Sequence, residues 1–287
     1  MIYLILSIIA STLIFINFKL FERFRINILQ AIVVNYVIAF TTGIILYEGT
    51  ITLSQLPKLD WFYYTLALGA LFIIVFNLMA ITTQRSGLSV VSVATKMSVV
   101  IPILFGLFYY NESLGALKLI GIGLALIAVY LSSIKTRKGI NIDRKLILLP
   151  ILVFIGSGII DTSIKFLEDT YVAQNDVPLF SAIIFLAAAI VGLILLVNQA
   201  IKGTFKFEAK NIIAGIFLGV PNYFSIFFLV KTLRSDILDS SGIFTINNVA
   251  IVTISTLAGI LLFKEKLLRK NWIGIGLAIL SIILISL

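Results

Sequence analysis

An all-α integral membrane protein of ten transmembrane helices, arranged as two inverted five-helix repeats, is the predicted fold class. Three observations predict it: a composition too apolar for a soluble core, ten apolar runs of spanning length, and an internal repeat on either side of a basic linker. The 287 residues are 60% hydrophobic and 12% charged, with a mean hydropathy of +1.14. One core of this size cannot bury so much apolar surface, so lipid is the expected solvent.

A span needs about 20 mainly apolar residues, because the hydrocarbon layer is about 30 Å thick and a helix rises about 1.5 Å per residue. Residues 2–18 form the first. They run into another apolar segment, with no cleavage site leading into polar sequence, and so read as a retained span. Residues 27–47 and 61–82 follow, the latter opening on Trp61, an expected interfacial anchor like Trp272 in the last span. Residues 87–109 contain Pro102 and lead into Tyr110-Asn111-Glu112, and 113–134 are glycine-rich. The basic stretch from Lys135 to Lys145 (KTRKGINIDRK) is the longest polar connection. It separates a first repeat, 1–134, from a second, 146–287, with 135–145 as linker. The second set of spans is 146–165, 177–198, 211–231, 237–263 and 268–287, which leaves almost nothing for a soluble domain.

Internal similarity supports that division. Ile120 to Ala125 and Ile273 to Ala278 both read IGIGLA, each following a glutamate, Glu112 or Glu265, at the same distance. Arg85-Ser86 echoes Arg234-Ser235, and Lys19/Glu22 echoes Lys165/Glu168. The register slips by four residues between the Arg-Ser and glutamate anchors, about one helical turn, which leaves helix faces nearly in phase. Five spans per repeat start the second half on the opposite side of the membrane, so the repeats are inverted. That architecture suits a carrier with a midplane site opened alternately to either side.

Sixteen lysines and arginines fall in the connections after odd-numbered spans and five in those after even-numbered spans. The positive-inside rule then puts the odd connections in the cytoplasm and both termini outside. The net charge of +9 is thereby read as orientation in the membrane, and no nucleic acid is expected. The expected location is the cytoplasmic (inner) membrane of a prokaryote. With no cysteine and no histidine, thiolate and histidine chemistry, disulfides and their metal sites are unavailable. Neither an enzyme nor a cofactor is expected, and no catalytic or metal-ligating residue is assigned. The expected partners are a small-molecule solute and the lipid bilayer, with a homodimer left open.

Two five-helix halves, a Pro102-containing fourth span ending in Tyr110-Asn111-Glu112, and glycine-rich fifth and tenth spans resemble the EamA-type transporters of the drug/metabolite transporter superfamily. Lys19 after the first span fits that pattern; Ser255, where a proline matching Pro102 would stand, departs from it. The resemblance implies transport of amino acids, metabolites or drugs without fixing the substrate. It also implies a cavity lined by the third, fourth, eighth and ninth spans.

Among individual residues, Lys96 is the basic group in the middle of a span. Burying an ammonium in hydrocarbon costs at least about 2.5–3.5 kcal/mol, so it should face a cavity, a carboxylate or an anionic ligand. Ser89 and Ser92 share its face. Asp161 is an alternative ion-pair partner and a candidate for proton coupling, although it also sits four residues before Lys165. In the ninth span Ser241, Thr245, Asn248, Val252 and Ser255 make a polar stripe that lines the solute path or joins helices by hydrogen bonds. Asn77 and Gln84 in the third span, with Asn222 and Tyr223 beside Pro221 in the eighth, are further lining candidates, followed by Asn17, Asn35 and Tyr36. Glu112 and Glu265 suit a helix-end structural role, since each precedes a helix N-terminus. The Gly121/Gly123 and Gly274/Gly276 pairs suit close helix packing. The rival reading on this fold is a flippase for a lipid or lipid-linked sugar.

Overall fold

The computed structural model describes residues 1–49, 51, 55–109, 115–133, 144–173, 176–233 and 240–286, and among them all regular structure is helical. The helices are α1 (Ile2–Arg23), α2 (Ile28–Ile45), α3 (Phe62–Ser86), α4 (Leu88–Met97), α5 (Val100–Tyr109), α6 (Ala116–Ser133), α7 (Arg144–Tyr171), α8 (Val177–Ile201), α9 (Ala209–Leu233), α10 (Ser240–Phe263) and α11 (Arg269–Ser286). Eight helical stretches are long and apolar enough to cross a membrane, with α4 and α5 counted together over Leu88–Gly106. Ala116–Ser132 is apolar but shorter. The chain is therefore an all-α integral membrane protein.

The fourth expected span is two helices rather than one. Pro102 has no N–H to give the Ser98 carbonyl four residues earlier, and its ring crowds that turn. The Ile101 N–H takes the Ser98 carbonyl instead at 2.9 Å, and the helix is interrupted at Ser98 and Val99. Pro150 and Pro221 lie inside α7 and α9 without ending them. At Gly87, φ is +110°, a conformation open to glycine, and α4 starts there directly after α3.

By contacts the chain forms two compact units, one of residues 1–20, 78–159 and 224–287, the other of 21–77 and 160–223. In the second unit α2 packs along α8 on small residues. A side chain at Gly43 would meet Ala182 of α8 and Tyr223 of α9, and one at Gly192 of α8 would meet Val33 of α2 and Ile73 of α3. A polar cluster ties one end: Asn27 caps α2 by accepting the Gln30 N–H at 3.1 Å, and Asn211 donates to Gln30 Oε1 at 2.7 Å. Trp61 is only 2% exposed, edge-on to Phe180, so packing rather than interfacial anchoring holds it. Trp272 is 51% exposed, as an interfacial anchor should be.

In the first unit α6 packs along α11, and α4 and α10 pack against each other. The α6–α11 crossing is reciprocal. Gly121 near the start of α6 touches Leu284 and Ile285 at the end of α11, while Gly274 near the start of α11 touches Leu131 and Ser132 at the end of α6. These are positions that the IGIGLA alignment equates, so equivalent residues swap roles across an antiparallel contact, as in an isologous interface. Small residues let the backbones approach where no hydrophobic effect drives helices together in lipid.

Candidate functional site

The α4–α10 contact gathers the polar residues of two spans. A side chain at Gly259 of α10 would come within 3.2 Å of Ser89 Oγ on α4, which fixes the facing surfaces. Helical spacing carries the α4 surface on to Ser92 and Lys96 and the α10 surface back to Ser255, Val252 and Asn248. With a rise of about 1.5 Å per residue, Ser92 comes level with Ser255, and Lys96 with Val252. Ser89, Ser92, Asn248, Val252 and Ser255 are buried and Lys96 is half-buried.

Hydrogen bonding in this layer is incomplete. Ser92 donates its hydroxyl to the Ser89 carbonyl at 2.9 Å, and Ser98 donates to the Thr95 carbonyl at 2.6 Å, both within their own chain turn. Among the described residues the hydroxyls of Thr95, Ser255 and Thr256 are buried without a hydrogen-bond partner. Each such group costs about 1–3 kcal/mol when left unmade, a cost that a bound polar group would relieve. Two residues beyond Lys96 the helix breaks, at Ser98 and Val99, before α5 restarts at Val100. Ammonium and hydroxyl donors together favour an anionic or zwitterionic group. Among the described residues no cluster of three acidic side chains converges as a metal site would require.

The other expected residues divide between the units. Asn77 donates to the Ile73 carbonyl of its own helix at 2.7 Å, and Asn17 does the same to Leu13 at 2.9 Å. Asn222 is buried and donates to Asn35 Oδ1 at 3.1 Å, next to Pro221 within α9. Tyr223 is buried near Gly43, and Tyr36 donates to the Phe72 carbonyl at 2.9 Å. Lys19 reaches the Gln84 carbonyl at 3.5 Å. Asp161 is exposed on α7. Ser241 and Thr245 lie in α10 with side chains outside the described set, and Glu112 lies outside the described residues.

Glu265 serves a different helix from the one that follows it. Its carboxylate accepts the Leu88 N–H at 2.7 Å and the Ser89 hydroxyl at 3.2 Å, so it caps α4 rather than α11. The start of α11 is held instead by Asn271, whose Oδ1 accepts the Leu268 N–H at 2.8 Å while its Nδ2 donates to Ser132 at the end of α6. Sequence reasoning also missed a buried trio in which Ser7 of α1 donates to the Ser225 carbonyl at 2.8 Å, with Asn247 Oδ1 at 3.5 Å. The break at Ser98 did have a signal, namely its spacing of four from Pro102.

A separate cavity of about 240 Å³ in the second unit is lined by Ala67, Leu68, Leu71, Phe166 and Leu167, with Tyr64 and Ser163 at its polar edge. Its lining is mostly apolar.

No family model matches the chain. An uncharacterized protein of Haemophilus influenzae is 29% identical over 277 residues, covering 95% of this chain and 93% of its own. A solved crystal structure has a similar fold, with a TM-score of 0.57 and 12% identity over 98% of both chains. At that identity the likeness carries the fold alone.

Proposed function

We propose that this protein is a secondary transporter that moves a small polar metabolite, an amino acid or organic anion, across the membrane by alternating access. It would do so as a ten-span, EamA-like pair of inverted repeats in a prokaryotic inner membrane, with both termini outside. The observation that carries the reading is the α4 face of buried Ser89 and Ser92 and half-buried Lys96, met at Ser89 by α10, beside a broken helix. Charge and hydroxyls are expensive in a membrane interior and are kept there for solute or ion handling. The reciprocal α6–α11 contact supports the inverted arrangement, since equivalent helices meeting antiparallel is what a two-fold axis in the membrane plane produces. Uptake of labelled amino acids and organic anions into proteoliposomes tests the reading, comparing wild type with Lys96→Ala and Lys96→Arg. Loss of anion uptake in Lys96→Ala, with folding intact, is the expected result. No uptake of any solute in wild type would defeat it.

The second reading, a flippase for a lipid or lipid-linked sugar, draws on the apolar cavity beside Tyr64 and Phe166, which suits acyl chains better than a polar solute. Movement of a labelled lipid between leaflets in the same proteoliposomes, without solute uptake, would favour it.

A further inference from the structure

We propose that Glu265 is a latch holding the fourth and ninth spans together at one membrane face, and that its release opens that face. As a step of a transport cycle this rests on the carrier reading above; as a closure between two helices it stands on geometry alone. The local construction begins at the end of α10. Lys264 adopts a left-handed φ of +54°, and the Glu265 N–H returns to the Gly259 carbonyl at 3.0 Å, a closure over seven residues that ends the helix and turns the chain back. The turn aims the Glu265 carboxylate at the first turn of α4, where it accepts the Leu88 N–H at 2.7 Å and the Ser89 hydroxyl at 3.2 Å, with the Ser89 N–H at 3.5 Å.

Two glycines make the contact feasible. Gly87, the residue before α4, has no side chain to cap its own helix, which leaves the Leu88 N–H to Glu265. A side chain at Gly259 would lie 2.6 Å from Glu265 Oε2, in the space the carboxylate uses. Below the latch, helical spacing sets Ser92 and Lys96 of α4 against Ser255, Val252 and Asn248 of α10. The Glu265 bonds tie the mouth of this interface between residues 177 apart in sequence. Two discrete arrangements separated by a few such bonds are what a gate needs.

The absence of native cysteine permits a direct test on the full chain in sided membrane vesicles. Val252 is fully buried on the α10 face, roughly 10 Å along the helix from Gly259, so Val252→Cys reports access beneath the latch. With a membrane-impermeant methanethiosulfonate reagent, labelling should be slow in that background. It should rise about tenfold or more, from the latch face only, when Glu265→Ala is added. Gly259→Ala should reproduce the rise with Glu265 still present, because the new methyl displaces the flexible end of the glutamate. Combining the two should add nothing. If Glu265→Ala does not fold, Gly259→Ala and Ser89→Ala carry the test. Unchanged labelling with lowered thermal stability would make Glu265 a static cap, and faster labelling from both faces would mean general loosening; either overturns the latch. The expected one-sided labelling in a protein that moves no solute would leave the latch standing and remove the carrier reading.

Discussion

Ser281 donates its hydroxyl to the Gly121 carbonyl at 2.7 Å, joining the last span to the fifth across their antiparallel crossing. The same crossing makes the glycines unequal in a measurable way. A methyl at Gly274 would lie 2.6 Å from the Ser132 backbone nitrogen, whereas one at Gly276 would meet nothing within 4 Å. Gly274→Ala should therefore cost about 1–3 kcal/mol by forcing the helices apart. Gly276→Ala should stay within about 0.5–1 kcal/mol of wild type. Thermal unfolding in detergent compares them.

Pro102 interrupts the fourth span at the expense of helix continuity. Pro102→Ala should restore a donor to the Ser98 carbonyl and raise stability by up to about 3 kcal/mol. Because the break falls two residues after Lys96, a straightened helix should shift that side chain, and uptake should fall even as the melting temperature rises. Unchanged uptake would show that the interruption has no part in transport.

Ser255 is fully buried, and among the described residues its hydroxyl has no hydrogen-bond partner. Ser255→Ala should stabilise the empty protein by about 1–3 kcal/mol, by removing a polar group that lacks a partner. If that hydroxyl faces the solute, the same change should weaken uptake, and the pairing of higher stability with weaker transport separates lining from packing. A loss of stability would mean that the hydroxyl already has a partner in the membrane.

Asn35 and Asn222 share a buried hydrogen bond of 3.1 Å. Either change to alanine should cost about 1–3 kcal/mol, since the surviving amide loses its buried hydrogen bond to the other helix. The double variant should cost less than the sum of the singles, by about 0.5–3 kcal/mol in a double-mutant cycle of unfolding free energies. Additive losses would mean that the two amides act independently.

Some of this was legible in the chain and some was not. Hydropathy and run length located the apolar helices, and the IGIGLA repeat picked out Gly121 and Gly274, which make the α6–α11 crossing, together with Gly123 and Gly276, where an added methyl would meet open space. These are properties of residues near one another in sequence, and the cost of exposing an unpaired backbone to lipid forces each such run into a helix.

Tertiary structure alone decided that Glu265 caps α4 rather than α11, that Asn222 pairs with Asn35, and that Trp61 is buried while Trp272 is exposed. The physical reason lies in the solvent. Lipid and protein interior are both apolar, so hydropathy does not distinguish a helix face that meets lipid from one that meets another helix. That choice rests on glycine-scale shape complementarity and on hydrogen bonds between distant residues, which exist only once the helices have packed.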